Sequence, residues 1–420
     1  MIKTIALQPG VKLHCFTDHR FKQGCLSIQF VRPMKKQEAA LNALIPAILL
    51  RGTEKSPDLR AITHRLDDLY GASVGVLVRR AGDYHTTGLV CGFIEDKYAM
   101  PGDRVLQPMV AFLRELLLEP VREDGVFCRD FVEGEKRNLL AAMDAQRNDK
   151  RAYASEQLFK LMCANDSYGI PRLGSRKQVS AITAESAWEH YQTLLKTSPV
   201  ELFYVGSAQP EQMAQELTVL LDGVERSYVN LPAQTAYCPC DPTEKTQTLD
   251  VSQGRLAMGF VSDITFRDPR FVAMQMCNAI FGGCMTAKLF AVIREKMSLC
   301  YDIGSTFYGS KGILTVVAGI DFDKDNLVRQ QVMEQLDKCC KGQITDQELQ
   351  SARQAMLSQL QGIHDSAASI EGYYGSNSLT GLDLTPEQYR RAVEQVTVEQ
   401  IAQAAQTLRL HTVYFLKGVE

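Results

Sequence analysis

Apolar and polar positions follow a pattern that occurs twice along the chain, once in each half. The first half closes with an amphipathic helical segment over 183–195, followed by a β-branched and aromatic run over 200–206. The second half closes in the same way, with a helical segment over 397–408 and a strand-like run over 412–418. This repetition predicts two duplicated domains.

The elements before these closing segments also match between the halves. Each half has an amphipathic helix, then two strand-like runs typical of a hairpin, with long amphipathic helices between the strands. The predicted helices are 59–70, 105–118, 127–148, 288–296, 325–341 and 345–363, and the predicted strands are 72–78, 84–92, 300–308 and 312–320. Strand pairs interspersed with helix pairs indicate the α+β class, with two duplicated domains that each contain a mainly antiparallel sheet layered with helices.

A segment between the halves has the composition of a linker. Residues 225–247 are rich in Pro, Thr and Gln, and they contain Asn230-Leu231-Pro232 and Asp241-Pro242. We therefore expect an N-terminal domain over 1–224 and a C-terminal domain over 248–420.

The charge balance and hydropathy exclude several classes of partner. The 420 residues include 46 Lys and Arg against 49 Asp and Glu, and the net charge of −3 gives no general attraction to nucleic acid or acidic membranes. No stretch reaches the ~20 apolar residues of a membrane-spanning helix, and residues 1–10 lack a basic start followed by an apolar run. We expect a cytoplasmic protein that binds neither nucleic acid nor membranes.

The sequence lacks the local motifs of the common hydrolases. None of the 7 histidines lies in an H-E-x-x-H or H-x-x-E-H motif, and there is no phosphate loop and no G-x-S-x-G nucleophile elbow. A zinc hydrolase with one metal ion needs about three protein ligands and a base. We therefore expect no metal site and no cofactor in this chain.

One segment resembles a known family. Residues 281–301 read FGGCMTAKLFAVIREKMSLCY, which resembles the second-domain signature of the pitrilysin/insulinase-type metallopeptidases, including mitochondrial processing peptidase and its bacterial relatives. In that family, the Arg and Tyr that match Arg294 and Tyr301 contact the substrate peptide and the reacting carbonyl from the domain opposite the zinc. The resemblance implies substrate binding by Arg294 and Tyr301, since a guanidinium and a phenol are suitable donors to a peptide backbone.

Other stretches resemble the same family, in the same order, along nearly the whole chain. Residues 49–53 look like the end of the helix that carries the zinc motif, and residues 66–72 look like the segment that follows it. Residues 167–175 look like a later part of the first domain, and Val205-Gly206 resembles its closing strand. The duplicated architecture is also what this family implies.

The departure from the family lies at the metal. Counting back from Arg51, the H-x-x-E-H motif falls on residues 43–47, which read Ala-Leu-Ile-Pro-Ala. The distal Glu ligand falls near Ala141 or Ala142, and Glu135 on the same predicted helix is expected to be a solvated carboxylate. Side chains of these types cannot bind zinc or lower the pKa of a bound water.

These observations predict a non-catalytic, substrate-binding subunit of a heterodimeric zinc metallopeptidase that acts on peptides. A zinc-bearing homologue would be the partner and would supply the zinc, while this chain would supply Arg294 and Tyr301 and would have no hydrolytic activity alone. The alternative is an inactive peptidase homologue that acts as a scaffold or peptide-binding protein. A third interpretation is an autonomous enzyme with an unrelated site, for which the scattered His and Cys residues offer no local constellation.

Overall fold

The chain forms two compact units in its computed structural model, which describes residues 2–235, 237 and 239–419. Among these residues, unit 1 comprises 2–143, 170–234 and 364–379, and unit 2 comprises those within 144–169, 235–363 and 380–420. No helix in the described part of the chain is both long and apolar enough to cross a membrane.

A mostly antiparallel sheet forms the centre of unit 1. Its strands are β1 (Ile2–Gln8), β2 (Val11–Thr17), β3 (Gln23–Pro33), β4 (Ser73–Ala81), β5 (Tyr84–Ile94) and β8 (Val200–Gly206), and a separate short hairpin consists of β6 (Arg122–Glu123) and β7 (Val126–Phe127). The order in the sheet is β1-β2-β8-β3-β5-β4. Only β2 and β8 pair in parallel within it. Because β4 is the last strand in this order, it is an edge strand.

Several helices of unit 1 begin at polar caps. They are α1 (Ala39–Leu49), α2 (Leu59–Asp68), α3 (Leu106–Leu118), α4 (Arg129–Asn148, of which residues up to 143 belong to this unit), α6 (Arg176–Ala181), α7 (Ala184–Thr197), α8 (Pro210–Thr218) and α12 (Ala367–Asn377). Asp58 accepts a hydrogen bond from the Ala61 N–H at the start of α2, and Thr183 forms a capping box with Ser186 at the start of α7. These caps fix the helix starts that the sequence pattern predicts.

The two faces of the unit 1 sheet differ in character. Leu26 and Ile28 on β3 point into the main apolar core with α1, α3 and α7. Because strand side chains alternate, Ser27 points to the opposite face, where α12 packs. Glu371 of α12 is only 2% exposed there, accepting hydrogen bonds from Ser27 Oγ at 2.6 Å and from Arg79 Nη2 at 2.7 Å. The helix α12 is therefore attached to the sheet by a buried ion pair.

Unit 2 has a five-stranded sheet with the topology of the sheet in unit 1. Its strands are β9 (Thr243–Thr248), β10 (Gly254–Val261), β11 (Cys300–Tyr308), β12 (Ile313–Ile320) and β13 (Arg409–Lys417), in the order β9-β13-β10-β12-β11. This order matches β2-β8-β3-β5-β4, and in both units only the first pair of the series runs parallel. The predicted fold class and the duplication are confirmed, and β1 is the strand that unit 1 has in addition.

The helices of unit 2 also lie on both faces of its sheet. They are α5 (Lys150–Met162), α9 (Phe271–Asn278), α10 (Asp325–Cys340), α11 (Asp346–Gly362), α13 (Pro386–Gln395) and α14 (Val398–Ala405), with two π-helical segments, Ala279–Gly283 and Leu289–Lys296. Most of them enclose one core around Phe260 and Phe281, whereas α5 packs Leu158 against Ala257 and Tyr414 on the opposite face.

The compact units do not coincide everywhere with the predicted sequence segments. Residues 144–169 belong to unit 2 and residues 364–379 to unit 1, because the helices in these stretches pack on those sheets. The predicted linker contains the change of unit between residues 234 and 235, and its end at 243–247 lies in β9. A linker-like composition indicates an exposed connection between domains. It does not indicate on which sheet a later amphipathic helix packs.

Candidate functional site

The helix α1 carries the positions where the resemblance places the zinc motif. Ala43 and Pro46 are buried, and Ala47 is partly buried. Alanine and proline side chains contain no atom that can donate an electron pair to a metal, so these residues do not fit a zinc ion. In the described part of the chain, no group of three or more His, Cys, Asp or Glu residues could hold a metal ion.

The position of the distal ligand is equally unsuited to a metal. Ala141 and Ala142 lie exposed on α4. Glu135 lies one or two turns earlier, and its expected role as a solvated carboxylate is wrong, because its side chain is 11% exposed and lies 3.3 Å from Arg51 Nη1. The Arg51 guanidinium also lies 5.5 Å from the centre of the Phe131 ring. These contacts connect the end of α1 to α4 without a metal.

A polar network next to Ala43 was not predicted from the sequence. Asn42 is fully buried on α1, and its Nδ2 lies 3.2 Å from His85 Nδ1 on β5. His190 Nε2 on α7 lies 2.7 Å from the Asn42 Oδ1 atom. The amide therefore donates to His85 and accepts from His190, so one side chain connects α1 to the sheet and to α7. A lone Asn before an apolar run gives no sequence signal for such a network.

Burial keeps both histidines neutral. Burial first, then the charges of Arg80 and Arg172, lower the pKa of His85 to about 3. Burial also lowers the pKa of His190 to about 4, although the Glu38 carboxylate acts in the opposite direction. At neutral pH both rings are uncharged, and the hydrogen bond that His85 Nδ1 accepts from the Asn42 amide requires this of His85.

The structure brings the two predicted substrate-binding residues, Arg294 and Tyr301, into direct contact in unit 2. Arg294 Nε donates a hydrogen bond to the Tyr301 carbonyl oxygen at 2.9 Å. Its Nη1 lies 2.7 Å from Glu295 Oε1, and its guanidinium carbon lies 4.7 Å from the centre of the Phe290 ring. In the part of the chain that is described, Nη2 has no hydrogen-bond partner, so it is available to an external acceptor.

Irregular backbone positions Arg294. The predicted helix over 288–296 is present, but it winds as a π-helix, and the Met297 N–H reaches back five residues to the Val292 carbonyl at 2.9 Å. Ser298 follows with φ of 53°, in the left-handed region that non-glycine residues rarely adopt. π-helical turns are frequent at functional sites. Helical periodicity alone does not distinguish such a turn from an α-helix, so this detail could not be predicted.

A β-bulge positions Tyr301. Cys300 pairs with Ile320 and Asp302 pairs with Gly319, so Tyr301 is the extra residue on β11. The bulge leaves Tyr301 59% exposed. Bulges often re-aim a side chain next to a binding or active site.

The phenol of Tyr301 already has a partner within unit 2. Its hydroxyl donates a hydrogen bond to Asp321 Oδ1 at 2.8 Å. That hydrogen bond and the negative charge of Asp321 raise the pKa of Tyr301, so the phenol remains protonated. The hydroxyl keeps its acceptor capacity, and it must rotate away from Asp321 before it can donate to another group.

Known proteins that resemble this chain include peptidase homologues described as inactive. The protein-family model described as "Peptidase M16 inactive domain" matches residues 181–356. The chain is 29% identical over 411 residues to a Bacillus subtilis (strain 168) protein named "Probable inactive metalloprotease YmfF", and the match covers 98% of this chain and 96% of that protein.

Two solved structures resemble the whole chain. A conserved protein from Enterococcus faecalis V583 is 26% identical with a TM-score of 0.91, covering 100% of this chain and 99% of that one. A peptidase M16 inactive domain from Pseudomonas fluorescens has a TM-score of 0.81 and covers 100% of this chain and 98% of that one. Its 19% identity makes this second likeness one of fold.

Proposed function

Because the chain belongs to the pitrilysin-type (M16) peptidase family, as a member whose zinc positions are apolar, we propose that it is the non-catalytic, substrate-binding subunit of a heterodimeric zinc metallopeptidase. The partner is a zinc-bearing homologue that supplies the metal and the base. This chain supplies Arg294 and Tyr301 and does not hydrolyse peptides alone. The observation that carries the proposal is that Arg294 and Tyr301 are exposed on irregular backbone, while α1 has no metal ligand.

Each residue has a defined role toward a peptide. Arg294 is held through Nε and Nη1, so its Nη2 atom can donate to a backbone carbonyl of an extended peptide. Tyr301 can donate to a second oxygen after its hydroxyl leaves Asp321. Strand addition to a sheet edge would hold the rest of the peptide. These roles are binding and orientation, and this chain performs no bond-breaking step.

The proposal includes a cytoplasmic location. The cysteines that the structure describes are free thiols, and most of them are buried. Free thiols in this number are typical of a reducing compartment.

One observation favours a second candidate function, an inactive homologue that acts as a scaffold or peptide-binding protein. The Tyr301 hydroxyl donates to Asp321, and the Arg294 guanidinium pairs with Glu295, so both residues have partners within the chain. Side chains satisfied in this way can serve a purely structural role. This alternative predicts a complex that binds peptides or other subunits and cleaves none.

The first experiment identifies the partner and then tests the shared site. The tagged chain is purified from its native cells, and any stoichiometric companion is identified by mass spectrometry and inspected for H-x-x-E-H. Peptide cleavage by the reconstituted pair is then measured with Arg294→Ala and Tyr301→Phe. We expect each variant to assemble and to lower kcat/KM by about tenfold or more, since each removes a hydrogen bond to substrate.

Matched variants serve as controls. Arg391→Ala removes an exposed Arg of α13, and Tyr98→Phe removes an exposed hydroxyl of unit 1. Both should leave kcat/KM unchanged. Unchanged turnover in the Arg294 and Tyr301 variants contradicts the shared site. A companion without a zinc motif, or a complex whose peptide cleavage is absent or insensitive to a chelator, favours the scaffold.

A further inference from the structure

A hydroxyl, an imidazole and a carboxylate form a chain of hydrogen bonds on the unit 1 sheet, and the proposed function uses none of them. Thr4 on β1 lies directly across from His14 on β2. Thr4 Oγ1 lies 3.0 Å from His14 Nδ1, and His14 Nε2 lies 2.6 Å from Glu201 Oε2 on β8. One imidazole therefore links the hydroxyl on the outermost strand to a carboxylate two strands further in.

The carboxylate decides which nitrogen of the His14 ring can act as a base. Because a carboxylate only accepts hydrogen bonds, the contact with Glu201 places a ring proton on Nε2. The neutral ring then accepts the Thr4 hydroxyl proton through the lone pair on Nδ1. A hydroxyl that is hydrogen-bonded to a base, with the base oriented by a third group, is the arrangement of an activated nucleophile.

Packing holds the imidazole in this orientation while the hydroxyl stays accessible. The Phe203 ring stacks on the His14 ring, with the two centroids 4.5 Å apart and the planes 15° apart. The side chains of His14 and Glu201 are 13% and 11% exposed, whereas Thr4 is an exposed residue. A nearly buried base next to an accessible hydroxyl can exchange a proton with a molecule that arrives from solvent.

The neighbours of Thr4 on the same face of the sheet indicate the chemistry of that molecule. Ile2 and its cross-strand neighbour Phe16 lie on one side of Thr4. Ala6 and its cross-strand neighbour Lys12 lie on the other side, and Lys12 is exposed. An acyl group therefore fits the apolar side, and a negatively charged leaving group fits the side of the Lys12 ammonium.

The backbone of β1 offers donors for a developing negative charge. Among the described strands, β1 is hydrogen-bonded only to β2, so it forms the other edge of the sheet. Backbone groups alternate in direction along a strand, so every second N–H group of β1 points away from the sheet. Such N–H groups, on the strand that carries Thr4, can stabilise the oxygen of a carbonyl group under attack.

We propose that Thr4, His14 and Glu201 form an acyl-transfer site, with Thr4 as nucleophile, His14 as base and Glu201 as a positioning residue. Its substrates are acyl donors with a negatively charged leaving group, of which acetyl phosphate is the simplest. The site is independent of the proposed function, in which the partner cleaves the peptide.

The reaction has two steps. Thr4 Oγ1 forms a bond to the acyl carbon as its proton moves to His14 Nδ1, and the bond to the leaving-group oxygen breaks with its electron pair going to the leaving group, which His14 protonates. Water then attacks the acyl carbon and gives a proton to His14. The bond to Thr4 Oγ1 breaks, Thr4 takes that proton back, and the carboxylic acid leaves.

The test is acylation of the isolated full chain by acetyl phosphate and by p-nitrophenyl acetate, which is a neutral donor. Mass spectrometry of proteolytic fragments locates the acetyl group, and release of p-nitrophenolate gives the rate. We expect acetyl-Thr4 in the wild type and in its serine counterpart, Thr4→Ser, but no acylation at this position in Thr4→Ala. His14→Gln should lower the rate by about a hundredfold, and free imidazole should restore part of it.

Further variants assign the roles. Lys12→Gln should slow the reaction with acetyl phosphate more than the reaction with p-nitrophenyl acetate, because only the first donor is an anion. Glu201→Gln should slow both reactions, and its amide can donate to His14 Nε2, which moves the ring proton to Nδ1. The NMR chemical shifts of the His14 ring nitrogens report that change. Thr246→Ala on β9 and His64→Gln on α2 replace exposed residues of the same types and should leave the rates unchanged.

Two results would overturn the inference. One is absence of acetyl-Thr4 with both donors, or a rate of p-nitrophenolate release that Thr4→Ala leaves unchanged. The other is full acylation of Thr4 in His14→Gln that circular dichroism shows to be folded. Because Thr4 is exposed, its variants should fold normally, and they decide the question if His14→Gln does not fold. Neither result bears on peptide cleavage by the reconstituted pair, so failure of this site is distinguishable from failure of the shared peptidase site.

Discussion

The hydrogen-bonded side chains of Asn42 and His85 in unit 1 are buried and uncharged, whereas Arg294 and Tyr301 in unit 2 are exposed and include a charged group. Asn42 and His85 are fully buried and hydrogen-bonded to each other. The Arg294 side chain is 40% exposed and Tyr301 is 59% exposed. Burial decides what a substitution measures, because a buried polar group loses its partner whereas an exposed one regains water. Changes near α1 should therefore alter stability, and changes near Tyr301 should alter binding.

The largest expected effect is a loss of stability in mild acid. His85 and His190 have pKa values of about 3 and about 4 in the folded chain, against an ordinary value near 6.5 in the unfolded chain. Below pH 6.5 the unfolded chain therefore binds more protons than the folded chain does. The stability that the two neutral histidines contribute is fully present above pH 6.5, and the free energy of unfolding falls as the pH decreases toward 4. The pair should lose on the order of 4 kcal/mol between pH 7 and pH 5, measured by urea unfolding.

Two double variants isolate this contribution from other titrating groups. His85→Gln/His190→Gln removes the buried pair, so its stability should depend much less on pH. His19→Gln/His64→Gln removes two exposed histidines and should keep the wild-type dependence. The charged groups acting on the buried rings are Arg32, Arg80, Arg172 and Glu38, and they are the same in both variants. Identical pH dependence in the two variants would refute the assignment.

A smaller loss is expected when the centre of the network is removed at constant pH. Asn42→Leu leaves the facing nitrogens of His85 and His190 without partners, and we expect the free energy of unfolding to fall by about 2–3 kcal/mol at pH 7.5. Chemical denaturation of unit 1 measures it. Asn326→Leu, at an exposed position of α10, should change stability by less than about 0.5 kcal/mol. A comparable loss in both variants would mean that burial of the network is unimportant.

The smallest effect on stability is expected at Tyr301, where the readout is a pKa. Tyr301→Phe should change the free energy of unfolding by less than about 0.5 kcal/mol. Asp321→Asn should lower the pKa of the Tyr301 phenol toward its ordinary value, because it removes the negative charge next to the hydroxyl. NMR titration of the Tyr301 ring, assigned with the Phe variant, measures this shift. A phenol pKa that does not respond would show that Asp321 does not control Tyr301.

The fold was predictable because its signals are local. The closing helix and strand of each half appear as α7 with β8 and as α14 with β13, within a few residues of the predicted bounds. Their polar caps and β-branched runs are contiguous in sequence, and local patterns of this kind specify elements well. The repeated order of elements then indicated the duplication, which the matching strand orders confirm.

The details of the site were less predictable, because they depend on contacts distant in sequence. Arg294 and Tyr301 were found through a resemblance, but nothing in the sequence indicated that Asp321 would receive the Tyr301 hydroxyl. Glu135 looked like a solvated carboxylate, but it forms an ion pair with Arg51, which lies in the turn after α1. The bulge at Tyr301 depends on the register between β11 and β12, which a single strand does not encode.

The attachment of α12 to unit 1 has a consequence for protein synthesis. The sheet of unit 1 cannot close until β8, ending at Gly206, lies between β2 and β3, and Arg79 has no buried carboxylate partner until Glu371 has been made. A growing polypeptide on the ribosome therefore exposes one face of this sheet while some 160 further residues are translated, a period of roughly ten to thirty seconds at elongation rates of about 5–20 residues per second. During that time the nascent chain is a candidate client for chaperones. A chain truncated before residue 364 should therefore be insoluble.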